Sequence, residues 1–448
     1  MCMRKNHLSG SAVTKKISIS VFICLLTSLL LCSSFAFVFA SDGSDIMFQS
    51  FGWDSKNDGQ QGKWYDLVAD RAKELGDAGF TLIWLPPAAR SVSQQGYMPV
   101  DYYDLGNPSS PTFYGTQDQL VNCINKLHDN NISVLADIVV NHRCASKQDE
   151  TGLWNNFDSP SGLAKWNKNM ICGDDKHFDG RGNNDTGDQY GVAPDIDHKN
   201  LTVQKDITAW MNWLKKVGFD GWRYDYVKGY APKFVALYDS ETAPKFSVGE
   251  LWTSMNYGKS MMTRDDPPAP NQDAHRQQLC NWLDNAGKTA ATFDFTTKGI
   301  LQYAVRGEYG RLRDKDGKAS GLIGWWPARS VTFVDNHDTG SAQSHWPFPN
   351  DKVMQGYAYI LTHPGTPCVF TEHFYEWKLK DAITKLMQIR KKYKIKADSK
   401  LTIMTAENGL YAASIDDKII TKLGPRDFQP PAGYKLLTSG SDFAVFGK

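Results

Sequence analysis

The sequence predicts an α/β protein: a closed (β/α)8 barrel of the TIM type, with an irregular insert domain after strand 3 and a C-terminal antiparallel β-sheet domain. Three observations predict it. Apolar runs alternate with amphipathic helical stretches in eight β–α units. A long polar segment interrupts that rhythm between His142 and His198. Past Ala397 the rhythm gives way to short strands separated by turns.

Taken in order, Ile46–Trp53 is the first strand and Trp64–Ala78 a helix with apolar residues at helical spacing. Phe80–Pro87 is a continuous apolar run ended by two prolines, as a strand buried on both faces requires. A helix over Gln117–Asn130 and a strand over Ile132–Asn141 follow. Further strands are read at Gly218–Tyr226, Phe246–Trp252, Thr292–Thr296, Ser330–Asn336 and Thr366–His373. Helices at Val203–Val217, Pro232–Ser240, Gln272–Gly287 and Val353–Thr362 separate most of them. The insert is rich in Asn, Asp and Gly, and a loop that long inside a compact domain is functional or a small domain of its own. The final strands are Leu401–Ala406, Leu410–Ile415, Ile419–Leu423, Tyr434–Leu437 and Phe443–Phe446, with turn signals at Asp416-Asp417 and Ser439-Gly440. The expected domains are 1–40 (leader), 41–141 and 199–396 (barrel), 142–198 (insert) and 397–448 (C-terminal sheet).

The leader is read from Arg4, Lys5, Lys15 and Lys16 ahead of an apolar run from Val21 to Leu31 that continues to Ala40. Small residues at Val38 and Ala40 suit cleavage after Ala40, which implies a secreted protein. The competing reading is an uncleaved anchor, since the run is nearly long enough to span a bilayer. A formal net charge of +1, from 50 basic and 49 acidic residues, gives no reason to expect a nucleic acid or a membrane surface as partner. Without the leader five cysteines remain, Cys123, Cys144, Cys172, Cys280 and Cys368; buried free thiols are the default, with a Cys144–Cys172 bridge conceivable. Sequons begin at Asn131, Asn184 and Asn200.

Chemistry concentrates at strand ends. In GFDGWRYDYVKGY, Arg223 and Asp225 are two residues apart and so share a strand face. A guanidinium stabilises a neighbouring carboxylate's charged form, which suits a nucleophile, although a structural ion pair would look the same. Glu250 ends the next strand, KFSVGELW, at the same barrel end, and Trp252 beside it can desolvate it and raise its pKa. Two carboxyls facing one cleft are what glycoside hydrolysis needs. SVTFVDNHDTG places Asp335, Asn336, His337 and Asp338 at a third strand end; Asp338 can stabilise an oxocarbenium-like transition state and His337 can bond a sugar hydroxyl. His142 follows LADIVVNH, where Asp137 is read as structural.

DIVVNH, GFDGWRYDYVKGY, VGELW and FVDNHD, in that order, resemble the four sequence regions of the α-amylase family of glycoside hydrolases. QGYMP, FDFTTKGIL, GWWPARSVTFVDNHDTG and MQGYAYILTHPGTP resemble its plant-type members, and the resemblance runs from about Phe48 to near the C-terminus. It implies an endo-acting enzyme that cleaves internal α-1,4 bonds of starch and malto-oligosaccharides with retention, working as a monomer. Asp225 matches the nucleophile, Glu250 the general acid/base and Asp338 the transition-state stabiliser. Tyr97, His142, Arg223 and His337 match residues of the cleaved-sugar subsite; Met98, Lys228 and Trp252 match neighbouring subsites; Trp325 and Trp326 match a surface starch-binding pair. A binding homologue with impaired catalysis and an α-glucan transglycosylase are the alternatives.

The resemblance also implies at least one structural Ca²⁺, a cation that takes oxygen ligands. Asn141, Asp185, Asp195 and the backbone carbonyls of Asp188 and Gly229 match the principal site, and Asp175, Tyr190 and Ala193 match members of a second. Gln189 stands where the plant-type pattern has Asp, and Lys165 falls where an acidic residue is expected, so fewer or weaker secondary sites are expected.

Overall fold

The computed structural model describes residues 43–55, 61–257 and 267–448. The expected leader therefore lies outside the described residues. Eight parallel strands close a barrel: β1 (Met47–Gln49), β2 (Leu82–Trp84), β3 (Ser133–Ile138), β4 (Gly221–Tyr224), β5 (Ser247–Gly249), β6 (Ala291–Phe293), β7 (Ser330–Phe333) and β8 (Thr366–Phe370). Each strand pairs with its sequence neighbours, and β8 closes on β1 with Met47 opposite Cys368. The strands are buried nearly throughout, because helices cover the outside and side chains fill the inside.

A helix follows every strand: α1 (Trp64–Ala78), α2 (Gln117–Asp129), α3 (Leu201–Val217), α4 (Lys233–Thr242), α5 (Asp273–Asn285), α6 (Phe295–Ala304), α7 (Val353–Thr362) and α8 (Lys380–Lys392). Thr116 and Gln119 form a reciprocal capping box at the start of α2. Two elements differ from the sequence reading. The strand expected over Thr292–Thr296 stops at Phe293, because the Asp294 side chain accepts from Thr297 N at 2.7 Å and caps α6. Helix α8 was absent from that reading, although Ile383, Leu386, Met387 and Arg390 bury one face at helical spacing.

The insert is tied to both ends of its own segment. His142 bridges Asp195 as an antiparallel pair, and Ile171 bridges Ile196. The Arg143 guanidinium is buried against the Tyr102 and Trp166 rings, each at 4.8 Å, and donates to Val100 O and Ala164 O. A five-stranded antiparallel sheet, ordered β9-β10-β11-β13-β12, ends the chain: β9 (Leu401–Glu407), β10 (Leu410–Ile415), β11 (Ile419–Leu423), β12 (Lys435–Gly440) and β13 (Phe443–Gly447). It is fixed to the barrel through α7, where Thr421 Oγ1 donates to Thr362 Oγ1 and His363 Nε2 meets the Tyr411 hydroxyl at 2.8 Å. Cys123, Cys144, Cys172, Cys280 and Cys368 are all free, so no Cys144–Cys172 bridge forms. Among the described residues no helix is long and apolar enough to cross a membrane.

Candidate active site

Parallel register brings the acidic residues together. Asp137 on β3 lies opposite Arg223 on β4, and Tyr224 lies opposite Gly249 on β5. Asp225 and Glu250, each one residue further on, therefore leave adjacent strands at the same level. Arg223 is fully buried and serves three carboxylates at once. Its Nη1 lies 2.8 Å from Asp137 Oδ1 and 2.6 Å from Asp225 Oδ1, while Nη2 lies 2.7 Å from Glu250 Oε2. A buried guanidinium must be paired, and its planar fork can serve several oxygens where a lysine could not.

The environment separates the roles these groups can take. Burial, opposed by Arg223 and reinforced by Asp225, Asp338 and Asp137, pushes the Glu250 carboxyl up to about 8. Its Oε1 is buried with no hydrogen-bond partner among the described residues, so it is the oxygen free to carry a proton toward a ligand. Burial, opposed by Arg223 and reinforced by Asp225 and Asp137, pushes Asp338 up to about 7. Tyr226, just past Asp225, sits in the left-handed region at φ 46°. That strained residue turns the chain off the strand into the tight turn Val227–Gly229.

Asp338 reaches the same cleft on the loop after β7. Asn336 Oδ1 accepts from Asp338 N and Thr339 N, so the short polar run folds into a turn that aims Asp338 inward. Gln343 Nε2 donates to Asp338 Oδ1 at 2.5 Å. Asp335, two residues before His337, faces away from the cleft toward buried Lys298 at 3.4 Å and His373 at 3.7 Å.

The walls are aromatic. The Tyr97 ring stacks on His337 at 5.1 Å and 7°, and Trp53 stacks on both, all three lining a cavity of about 360 Å³ with Asp225, Glu250 and Asp338. Flat rings suit the CH-rich face of a sugar. Burial and Arg223 hold His337 well below the usual imidazole range. It is therefore a neutral ring, with Nδ1 set against Gln49 Nε2 at 3.0 Å. His142 bonds Tyr97 O through Nε2 and lies flat on Tyr190 at 3.7 Å. Tyr190 in turn meets Met98 Sδ through its hydroxyl. Lys228 and Trp252 line the same cavity, Trp252 stacked on Phe295 at 5.3 Å.

Residues expected to hold calcium cluster behind Asp225. Asn141 Nδ2 donates to Asp195 Oδ1, and its Oδ1 crowds Gly229 so closely that a Cβ there would lie 1.9 Å away. Asp188 N donates to Lys228 O, joining the insert to the turn after β4. Asp185 Oδ2 is sequestered with no hydrogen-bond partner among the described residues. Burial, with Asp185 and Asp175 adding negative charge, pushes Asp195 up to about 7. Such mutually repelling oxygens fit a cation. Among the described residues no group of three or more His, Cys, Asp and Glu side chains is arranged to hold a metal, and the expected principal set contains two of those, Asp185 and Asp195, beside an amide and two carbonyls. Asp175 Oδ2 accepts from Asp195 N, Tyr190 N donates to Asp195, and Ala193 is buried alongside. Lys165 pairs with Asp158 at 3.4 Å.

Trp325 and Trp326 stand apart from the cleft. They immediately precede β7 and so lie at the N-terminal end of the barrel, opposite the carboxylates. Trp325 is 36% exposed, with the Arg276 guanidinium 3.6 Å from its ring centre, whereas Trp326 is half-buried and packs against the core. Several cleft residues went unread in the sequence. Trp53 is one; Asp137, read as structural, also orients Arg223 and accepts from Trp84 Nε1 and the Tyr97 hydroxyl. A polar residue inside an otherwise apolar strand was the available signal for Asp137.

Residues 46–170 match the family described as the alpha amylase catalytic domain, and residues 392–446 match the alpha-amylase C-terminal beta-sheet domain. The chain is 44% identical over 409 residues to Alpha-amylase 3, chloroplastic, of Arabidopsis thaliana, covering 90% of this chain but 44% of that protein's length. It is 41% identical to Probable alpha-amylase 2 of the same plant, covering 91% of this chain and 95% of that one. The fold is similar to the crystal structure of the alpha-amylase from H.orenii, with a TM-score of 0.61 at 13% identity, over 91% of this chain and 97% of that one. On its matched domains and its 41% identity to a relative covered over 95% of its length, the chain belongs to the α-amylase family of glycoside hydrolases.

Proposed function

We propose that this chain is an endo-acting α-amylase that hydrolyses internal α-1,4-glucosidic bonds of starch and malto-oligosaccharides by retaining double displacement. The carrying observation is the single guanidinium of Arg223 shared by Asp225 and Glu250. Two carboxyls gathered on one guanidinium suit the retaining route, in which they lie roughly 5 Å apart, rather than the wider inverting one.

In the first step Glu250 gives its proton to the glycosidic oxygen as that bond breaks, and Asp225 attacks the anomeric carbon to form a glycosyl ester. In the second, the Glu250 carboxylate takes a proton from water, which attacks the same carbon and frees Asp225. A carboxyl raised to about 8 begins the cycle protonated near neutral pH, as an acid must. Asp338 bonds sugar hydroxyls as the ring distorts, neutral His337 and His142 bond others, and Tyr97 supplies a stacking face. Met98, Lys228 and Trp252 receive the flanking sugars, while Trp325 and Trp326 offer a platform for starch on the far side of the barrel.

Asn141, Asp185, Asp195 and the carbonyls of Asp188 and Gly229 would hold one Ca²⁺, with Asp175, Tyr190 and Ala193 belonging to a weaker second site. The ion supplies charge neutralisation and rigidity, holding the insert against the turn that follows Asp225. The leader directs the chain to the secretory pathway and is removed after Ala40. A mature terminus at Ser41 in secreted material supports that reading; an intact Met1, or recovery in plastids, overturns it. The deciding test of function is release of reducing ends from soluble starch, with the anomer followed by NMR. The α-anomer appearing first, on internal cleavage products, supports the proposal; β-anomer first, transfer to another sugar, or binding without turnover refutes it.

A further inference from the structure

A carboxylate that faces no substrate holds the cleft wall from behind. Glu372 lies two residues past the end of β8, and its side chain accepts a hydrogen bond from Ser341 Oγ. Ser341 Oγ in turn accepts from Trp53 N at 3.0 Å. Three loops thus meet in one short chain of contacts: the loop after β1 that carries Trp53, the loop after β7 that carries Asp338, and the end of β8. The fit is close at each member. A Cβ on Gly52 would lie 1.9 Å from Glu372 Oε1, so the first loop runs directly against the carboxylate and a larger residue there would push it aside. Ser341 sits at φ 54°, a conformation that costs an L-residue energy and persists only where its surroundings hold it. At the far end Trp53 is parallel to Tyr97 and His337, within 10° and 16°.

We propose that Glu372 is a positioning residue for this glycoside hydrolase: acting through Ser341, it sets the Trp53 wall against the sugar and pins the loop that carries Asp338. Burial, opposed by the Ser341 hydrogen bond and reinforced by the negative charge of Glu376, Asp54 and Asp335, pushes the Glu372 carboxyl up to about 7. Placing an acid in such surroundings is costly, and the contact it makes runs to the cleft. The proposal rests on the activity proposed above.

The test is a double-mutant cycle with Glu372→Leu, Ser341→Ala and both together, alongside Glu372→Gln, which keeps an acceptor oxygen. KM and kcat are measured on maltoheptaose. Maltoheptaose binding is read separately by tryptophan fluorescence in a Glu250→Gln background, where turnover does not interfere. Glu372→Leu and Ser341→Ala should each raise KM about tenfold with a smaller fall in kcat. The double variant should be no worse than the worse single one, and Glu372→Gln should stay within threefold of the wild type. Binding in the Glu250→Gln background should weaken by the same factors. Additive effects overturn the proposal, as do lowered stability with KM and binding within twofold, or no rescue by Gln. If Glu372→Leu does not fold, Ser341→Ala and Glu372→Gln decide alone. A wild type that releases no reducing ends refutes the proposed activity, and the binding arm still decides the positioning role.

Discussion

Replacing Glu250 with Gln removes a proton donor while keeping shape, and its consequences for rate and stability have different signs. A positioned general acid/base contributes about 10²–10⁴ in rate, so kcat should fall at least a hundredfold, roughly 3 kcal/mol of barrier. Stability should move the other way as pH rises. The folded protein holds the Glu250 carboxyl at about 8 against an ordinary value of 4.5. The group therefore adds its full share of stability below 4.5, and that share is lost progressively as pH rises through 8. At about 1.4 kcal/mol per pH unit, a rise of this size makes the loss several kcal/mol, for a residue that is 6% exposed. Gln has no proton to lose, so the variant should match the wild type in urea unfolding at pH 4.5 and exceed it by several kcal/mol at pH 9. The same titration predicts that wild-type activity falls as pH rises past about 8. A variant less stable than the wild type at both pH values, or one retaining more than a few per cent of activity, would show that Glu250 is not the buried acid.

Three further outcomes follow from other parts of the molecule. Chelator should lower the unfolding temperature by several degrees at pH 8, and by less at pH 5.5, because Asp195, held near 7 without an ion, must lose its proton to ligate; equal temperatures with and without chelator at pH 8 would remove the calcium assignment. Lys298→Met should destabilise by about 3 kcal/mol, since it leaves Asp335 buried without the ammonium now 3.4 Å away; a calorimetric change under 1 kcal/mol would show that His373, the Thr339 hydroxyl and Phe348 N satisfy Asp335 without the lysine. Trp325→Ala should weaken adsorption to starch granules several-fold and leave soluble-substrate turnover within twofold, because the pair lies at the opposite barrel end from the carboxylates; an equal loss in both assays would place it in the catalytic cleft.

Much of this architecture is local and therefore legible in the chain. Hydrophobic period separates Phe80–Pro87 from Trp64–Ala78 without any neighbour's help. A charged residue closing an apolar strand, as Asp225 and Glu250 do, marks the barrel's C-terminal face, since parallel strands put all such ends on one side. The reading failed where local pattern is ambiguous: FDFTTKGIL is apolar enough for strand or helix, and Asp294 acting as a cap decides for the helix. What the tertiary structure alone decided is who shares whom. Arg223 was visible as a partner for Asp225 two residues away, but its hold on Asp137 and Glu250 depends on the β3–β4–β5 register. The contact from Glu372 through Ser341 to Trp53 spans loops hundreds of residues apart. Protonation is likewise collective: Glu250 stays an acid because the closed barrel removes water and sets Asp225, Asp338 and Asp137 around it. Types of residue and ends of strands are properties of the chain, whereas register, burial and the field they create exist only after it has folded.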